Sequence, residues 1–117
     1  MWVDPDKLQQ IIGNLVENAL RHGEGTVTVT VGPVDVDGVP GAVVTVADQG
    51  EGIPEHVVPR VFARFWRGGD RRGGTGLGLY IVKGLVEAHG GSISVGAGAD
   101  GGAEFRFVLP AGTPDFL

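Results

Sequence analysis

The sequence predicts a two-layer α/β sandwich, with two long helices packed on a sheet of four or five strands. Three observations carry that expectation. Two segments, near 5–22 and 77–89, repeat apolar residues at helical spacing. A strictly alternating run, Thr26-Val27-Thr28-Val29-Thr30-Val31, and three further β-branched or aromatic runs read as strands. The 22 glycines gather at the joints between these segments and follow no collagen or linker period.

Taken in order, Asp4-Pro5 supplies a helix N-cap followed by proline at the first helical position. Leu8, Ile11, Ile12, Leu15, Val16 and Ala19 then form one apolar stripe, and His22-Gly23 supplies a stop. On the opposite face Asn14, Asn18 and Arg21 fall at i, i+4 and i+7, so they project together. The alternating run reads as a strand with one buried face. Asp37-Gly38 marks a turn, and residues 42–47 make the return strand of a hairpin that delivers Asp48 to its end.

From Gln49 to Gly74 the sequence is irregular and rich in glycine and arginine, apart from a short helix over 57–65. Irregular segments of that length inside a small domain are usually functional. The second long helix runs over 77–89, with Leu77, Ile81, Leu85 and Ala88 on one side and Gly90-Gly91 as its stop. Two more strands follow over 92–95 and 104–109, joined through Gly101-Gly102, and Pro110 ends the sheet. Residues 1–110 are therefore read as one domain, and 111–117 as a frayed tail.

Composition excludes several classes of function. A chain of 117 residues buries a core of its own. Its net charge of −5 argues against a nucleic-acid surface. An acidic protein still binds a polyphosphate where a divalent cation and local arginines screen the charge. The absence of cysteine excludes disulfides and thiolate metal sites and fits the cytosol. No apolar run approaches the roughly 20 residues that span a bilayer. Met1 leads straight into the strand-like Trp2-Val3 without a signal-peptide pattern, so the expected neighbour is a further domain upstream.

Asn14 and Asn18 offer amide oxygens, the ligand type of a hard cation such as Mg²⁺ that keeps several waters and bridges to phosphates. Arg21, a turn further on, reaches toward the same phosphates. Asp48, ahead of Gly50 and Gly52, is placed to accept a hydrogen bond from an exocyclic amine while the glycines admit a flat base. Gly74-Thr75-Gly76-Leu77-Gly78 opens a helix, where backbone N–H groups make an anion site. It is neither a Walker A loop, since no lysine follows the glycines, nor a dinucleotide fingerprint, since position 79 is leucine. Singly, these pieces read as a solvated helix face, a strand-capping turn and a flexible loop. In this order within one small domain they describe a nucleotide site. Arginines 64, 67, 71 and 72 share the irregular segment with Phe62, Phe65 and Trp66; the aromatics suit pinning it to the core. His22, His56 and His89 have no metal-ligand spacing: His22 flanks the nucleotide, His56 is a surface residue and His89 ends a helix.

The chain resembles the catalytic, ATP-binding domain of bacterial sensor histidine kinases, in the superfamily that also holds gyrase-type topoisomerases, mismatch-repair ATPases and a heat-shock chaperone. The stretch from Asn14 to His22 matches the family's N box, and Asp48-Gln49-Gly50-Glu51-Gly52 its G1 box. Phe62-Ala63-Arg64-Phe65 matches the F box and Gly74-Thr75-Gly76-Leu77-Gly78-Leu79 the G2 box. The likeness runs from Val3 to Pro110. It implies a Bergerat-type fold, a mixed or antiparallel sheet of about five strands on about three helices, with an ATP lid over about 49–75.

By that resemblance, ATP and Mg²⁺ are the cofactors. Asn18 is the Mg²⁺ ligand, Asn14 supports the metal and phosphate site, Arg21 contacts phosphate and His22 flanks the nucleotide. Asp48 binds the adenine amino group with Gly50 and Gly52 beside the base. Gly74, Thr75, Gly76, Leu77 and Gly78 shape the lid, and Arg67 is the lid arginine nearest the γ-phosphate. Hydrolytic members and serine kinases of the superfamily carry glutamate where this chain has Asn14, and an amide cannot serve as the base that a carboxylate can. The implied role is to present ATP to a histidine on a dimerising helical hairpin of the same kinase, and through it to a response regulator. None of the three histidines here has that hairpin context, and the serine usual after the strand at 92–95 is replaced by Gly96. The fragment is expected to be monomeric and cytoplasmic, its parent homodimeric and either free or anchored in the inner membrane. An ATP-binding regulatory domain without transfer activity and an ATPase of the same superfamily are the alternatives.

Overall fold

Ile11, Leu15 and Ala19 are buried along one line of α1 (Pro5–His22), with Leu8, Ile12 and Val16 packed beside them. The stripe read from the sequence is the one the helix buries. In the computed structural model the described residues are 5–64, 78–99 and 101–110; the capping Asp4 lies outside them. Pro5 opens the helix, and the Gly23 N–H donates to the Ala19 carbonyl at 2.8 Å as the helix ends.

Asp37 and Gly38 both take positive φ, 51° and 82°, which is the backbone of a two-residue type I′ turn. That turn joins β1 (Thr28–Val36) to β2 (Val39–Ala47) in an antiparallel hairpin registered from Val36↔Val39 to Thr28↔Ala47. Among the described residues, β3 (Ser92–Ala97) and β4 (Ala103–Pro110) complete a four-stranded sheet of order β1-β2-β4-β3. Every pairing among the described residues is antiparallel, where a mixed sheet was also admitted. β4 is central and buries Ala103, Phe105, Phe107 and Leu109 on one face.

Three expectations change. The run 26–31 does not bury one face: Val29 and Val31 are 43% and 70% exposed. β1 is an edge strand of the described sheet, and the helices pack chiefly on β2, β3 and β4, so alternation there marks a strand without marking a covered side.

The helix expected over 57–65 is a single 3₁₀ turn, Val58–Arg60. Pro59 has no N–H to donate, and the local bonds are i→i+3: Arg60 N–H to the Val57 carbonyl at 2.8 Å and Ala63 N–H to the Arg60 carbonyl at 3.0 Å. Val61 is nonetheless fully buried, and Phe62 meets Phe105 edge-to-face with centroids 6.0 Å apart.

Finally, α2 (Gly78–Ala88) buries Val82 and Val86, with Leu79 and Leu85 beside them, while Ile81 and Ala88 face outward. The helix is apolar on most of its circumference, so periodicity alone does not single out the side that meets the sheet. It ends in a Schellman pair: Gly91 N–H to the Val86 carbonyl and Gly90 N–H to the Glu87 carbonyl, each at 3.0 Å, with Gly90 at φ 81°. The described residues thus hold two α-helices and one 3₁₀ turn against the sheet, the two-layer sandwich the sequence predicts.

The side on which α2 packs can be checked by truncation. Val86→Ala is expected to lower the unfolding free energy by about 2 kcal/mol and Ile81→Ala by under about 1 kcal/mol, read from urea denaturation. The reverse ranking would reject the orientation of α2.

Candidate functional site

Val44 and Val46 point inward from β2, and the next inward position of the same alternation is Asp48. It is 8% exposed and is the one buried charged side chain among the described residues. Burying a carboxylate is costly without compensating partners. Asp48 Oδ1 accepts the Gly50 N–H at 2.8 Å, and the Asp48 N–H donates to the Ala103 carbonyl at 3.1 Å, extending the β2–β4 ladder by one bond. An ionised carboxylate has about four acceptor positions, so capacity remains for a further donor.

The surroundings of Asp48 are glycine by necessity. A Cβ at Gly23 would lie 2.4 Å from Asp48 Cγ, and one at Gly102 would lie 2.2 Å from the Asp48 carbonyl oxygen. Thus the end of α1 and the turn into β4 close on the carboxylate from two directions. The loop beyond it is tied back to the same places. Gln49 N–H donates to the Glu24 carbonyl at 2.8 Å, and Gln49 Oε1 accepts the Thr26 N–H at 2.9 Å. Gly52, at φ 79°, passes the 101–102 turn so closely that a Cβ there would meet the Gly101 carbonyl at 3.1 Å. Gly50 thus bonds Asp48 directly, and Gly52 packs on the same 101–102 turn that Asp48 meets.

On α1, Asn14 and Asn18 are half-buried at the margin of the stripe formed by Ile11, Leu15 and Ala19. This differs from a fully solvated face: at about 100° per residue the two amides flank one side of the stripe while Ile12 and Val16 flank the other. Neither amide has a hydrogen-bond partner among the described residues. Half-buried amides without protein partners suit a polar ligand. Arg21 is held on the same helix by Glu17, Nη2 to Oε1 at 2.8 Å, with both side chains substantially exposed, and His22 at the helix end is exposed. An exposed i,i+4 pair contributes only about 0.3–0.5 kcal/mol, so it gives way readily to a phosphate.

Gly78 is the first residue of α2. Gly74, Thr75, Gly76 and Leu77 lie outside the described residues, as do Phe65, Trp66, Arg67, Arg71 and Arg72. Phe62 sits against Phe105 as an anchor of the segment before them, with Lys83 Nζ 6.0 Å from its ring centroid. His56 is exposed and His89 closes its helix, Nδ1 lying 2.8 Å from the Leu85 carbonyl. Among the described residues no three His, Cys, Asp or Glu gather to hold a metal, and no helix is long and apolar enough to cross a membrane.

Reading the sequence did not single out Gly23, Gly102 or the Gln49–Thr26 tie. Gly23 passes for a helix stop and Gly102 for a turn glycine. Only the signal of glycine at both ends of two elements that must meet one acid could have raised them.

The chain is similar to known proteins throughout. The family profile described as "Histidine kinase-, DNA gyrase B-, and HSP90-like ATPase" matches residues 3–113. The sensor histidine kinase component HK1 of Mycobacterium tuberculosis is 42% identical over 117 residues, covering 97% of this chain and 67% of that protein. The sensor histidine kinase WalK of Bacillus subtilis is 38% identical over 114 residues, 92% of this chain and 18% of WalK. The chain spans two thirds of HK1, but 30% or less of the next two relatives. Among solved structures, the ATP-binding domain of PrrB from Mycobacterium tuberculosis superposes with TM-score 0.69 at 30% identity, over 93% of this chain and 70% of that one. Full-length ShkA in complex with AMPPNP superposes with TM-score 0.73 at 36% identity, over 92% of this chain and 22% of that one.

The tie between loop and helix end gives a direct test. Gln49→Ala is expected to lower stability by about 1 kcal/mol and to speed hydrogen exchange at the Thr26 amide. Unchanged exchange at Thr26 would show that the side-chain bond does not hold the segment.

Proposed function

The chain belongs to the histidine kinase-, DNA gyrase B- and HSP90-like ATPase family, on the sensor histidine kinase side, and we propose that it binds Mg²⁺·ATP and gives its γ-phosphoryl group to a histidine on another segment. The observation that carries this reading is the pairing of one buried, glycine-walled carboxylate, Asp48, with two half-buried amides that have no partner among the described residues, Asn14 and Asn18.

In this proposal Asp48 accepts the exocyclic amine of adenine through the oxygen that Gly50 does not engage. Gly50 and Gly52 keep the loop flat beside the base. The donor set fits the metal: a hard cation prefers oxygen ligands, and a cation held by one amide and by phosphates needs no carboxylate cage. Asn18 would be the ligand and Asn14 would support it. Bound there, Mg²⁺ supplies charge neutralisation along the phosphates. Arg21 would exchange Glu17 for a phosphate oxygen, and His22 would lie beside the nucleotide. Gly74, Thr75, Gly76, Leu77 and Gly78 would line the triphosphate, with Arg67 toward the γ-phosphate.

Positioning and charge neutralisation are the main demands of phosphoryl transfer, and they need no base on this domain. Asn14 accords with that division of labour, since its amide cannot take a proton from a nucleophile. The acceptor is then a histidine on a dimerising helical hairpin, and the phosphoryl group passes onward to a response regulator. The AMPPNP complex of ShkA supports the nucleotide, and the sensor-kinase relatives support the acceptor. The domain spans about 1–110 with a lid near 49–75, works in the cytoplasm, and belongs to a homodimeric parent.

Equilibrium binding and transfer test the reading together. Asn18→Ala is expected to weaken Mg²⁺-dependent ATP binding at least about tenfold and Asp48→Ala by about 10- to 100-fold, both titrated by fluorescence or calorimetry. With γ-labelled ATP, the wild-type chain is expected to label an added phosphoacceptor hairpin on histidine. Absence of any Mg²⁺-dependent ATP binding would sink the proposal, and binding without labelling would leave a regulatory domain.

A further inference from the structure

Gly102 belongs to no nucleotide motif of the sequence, yet it is the residue that Asp48 presses upon most closely. It is buried at the entrance to β4. A Cβ there would meet the Asp48 carbonyl oxygen at 2.2 Å, Oδ1 at 2.4 Å and the carbonyl carbon at 2.6 Å. Two of those atoms are backbone, in a residue whose N–H is bonded to the Ala103 carbonyl at 3.1 Å. The third is the oxygen already engaged by the Gly50 N–H at 2.8 Å. Backbone conformation is not what demands glycine here, because Gly102 is not among the glycines with positive φ. The contact demands it.

The other side of Gly102 is closed as well. Its carbonyl accepts the Gly98 N–H at 2.7 Å, and the Gly101 N–H donates to the Gly98 carbonyl at 3.1 Å, so the turn cannot back away from Asp48 without losing bonds. To restore ordinary 3.4 Å contacts, a methyl at 102 must part the turn from Asp48 by about 1.2 Å at the carbonyl oxygen (3.4 less 2.2 Å) and by about 1.0 Å at Oδ1 (3.4 less 2.4 Å). The two oxygens belong to one planar carboxylate, so the oxygen left for the base shifts with Oδ1, and its hydrogen bond does not keep its geometry through a displacement of that size.

We propose that Gly102 is a positioning residue that sets base selectivity: the missing side chain lets the Asp48 carboxylate lie at the sheet end where it takes the exocyclic amine of an adenine nucleotide. The inference rests on the reading of Asp48 as the base acceptor. Gly102 touches no phosphate in this scheme, so its effect falls on the base and spares the triphosphate end. A purine nucleotide lacking the 6-amino group is indifferent to where the carboxylate lies.

The test compares two nucleotides, ATP and purine riboside triphosphate, which carries hydrogen in place of the 6-amino group, each titrated into the full chain with Mg²⁺. The wild-type chain is expected to prefer ATP by about tenfold or more. In Gly102→Ala that preference is expected to fall to near unity through loss of ATP affinity, while the analogue binds within about twofold of its wild-type affinity. A preference that persists in Gly102→Ala, or an equal weakening of both nucleotides, overturns the positioning role and leaves the Asp48 reading standing. Absence of a preference in the wild-type chain overturns the Asp48 reading and this inference with it. Should Gly102→Ala not fold, as judged by circular dichroism, Gly98→Ala carries the test. Its methyl would lie 3.3 Å from the Gly102 carbonyl oxygen and so crowd the turn that holds Gly102 against Asp48. A two- to threefold fall in the ratio supports the role, and an unchanged ratio overturns it.

Discussion

A buried carboxylate at the end of an inward-facing row of valines constrains everything around it. Asp48 continues the alternation of Val44 and Val46, so the sheet that makes the core also aims an acid into its rim. An acid left without partners there would be a net loss of stability. It is tolerated because Gly50 donates to it, because Ala103 holds its backbone, and because α1 and β4 both arrive as glycine. The end of the first helix, the turn between β3 and β4 and the loop after β2 are thus three solutions to one packing problem.

The proposed phosphate end of the site needs little machinery of its own. The amides of Asn14 and Asn18 sit at the margin of a helix whose buried line locks it to the core, so their position follows from Ile11, Leu15 and Ala19. Charge on that helix is disposed lightly, as an exposed Glu17–Arg21 pair. The site is therefore rigid where a base would be read and loosely held where phosphates would be met.

Much of this was legible in the residues. The stripe of α1, the Asp37-Gly38 turn and the glycine stop of α2 each rest on a local rule, spacing or positive φ, and each stands in the structure. The failures share a cause: they turn on what lies across the fold. Alternation in β1 does not say that a strand is at an edge, and α2 carries enough apolar surface that Ile81 competes with Val82 for the core. Pro59 made the 3₁₀ turn foreseeable, but not the burial of Val61 beside it. For the site, the motif residues Asp48, Gly50 and Gly52 are found together, while Gly23 and Gly102 became visible only as neighbours of Asp48. A glycine needed for contact looks, in sequence, like a glycine needed for a turn.

The cap of α2 has a mechanical consequence. Gly90 and Gly91 return the chain straight onto the sheet, and a Cβ at Gly91 would lie 2.0 Å from the Val108 carbonyl oxygen, so this end of the helix is clamped to β4. Slack in the helix cannot be taken up there. A one-residue insertion within α2 would have to be accommodated at Gly78, where the helix meets the glycine loop, rotating that entrance by about 100°. The clamp therefore sets the register of α2 against the sheet from its C-terminal end.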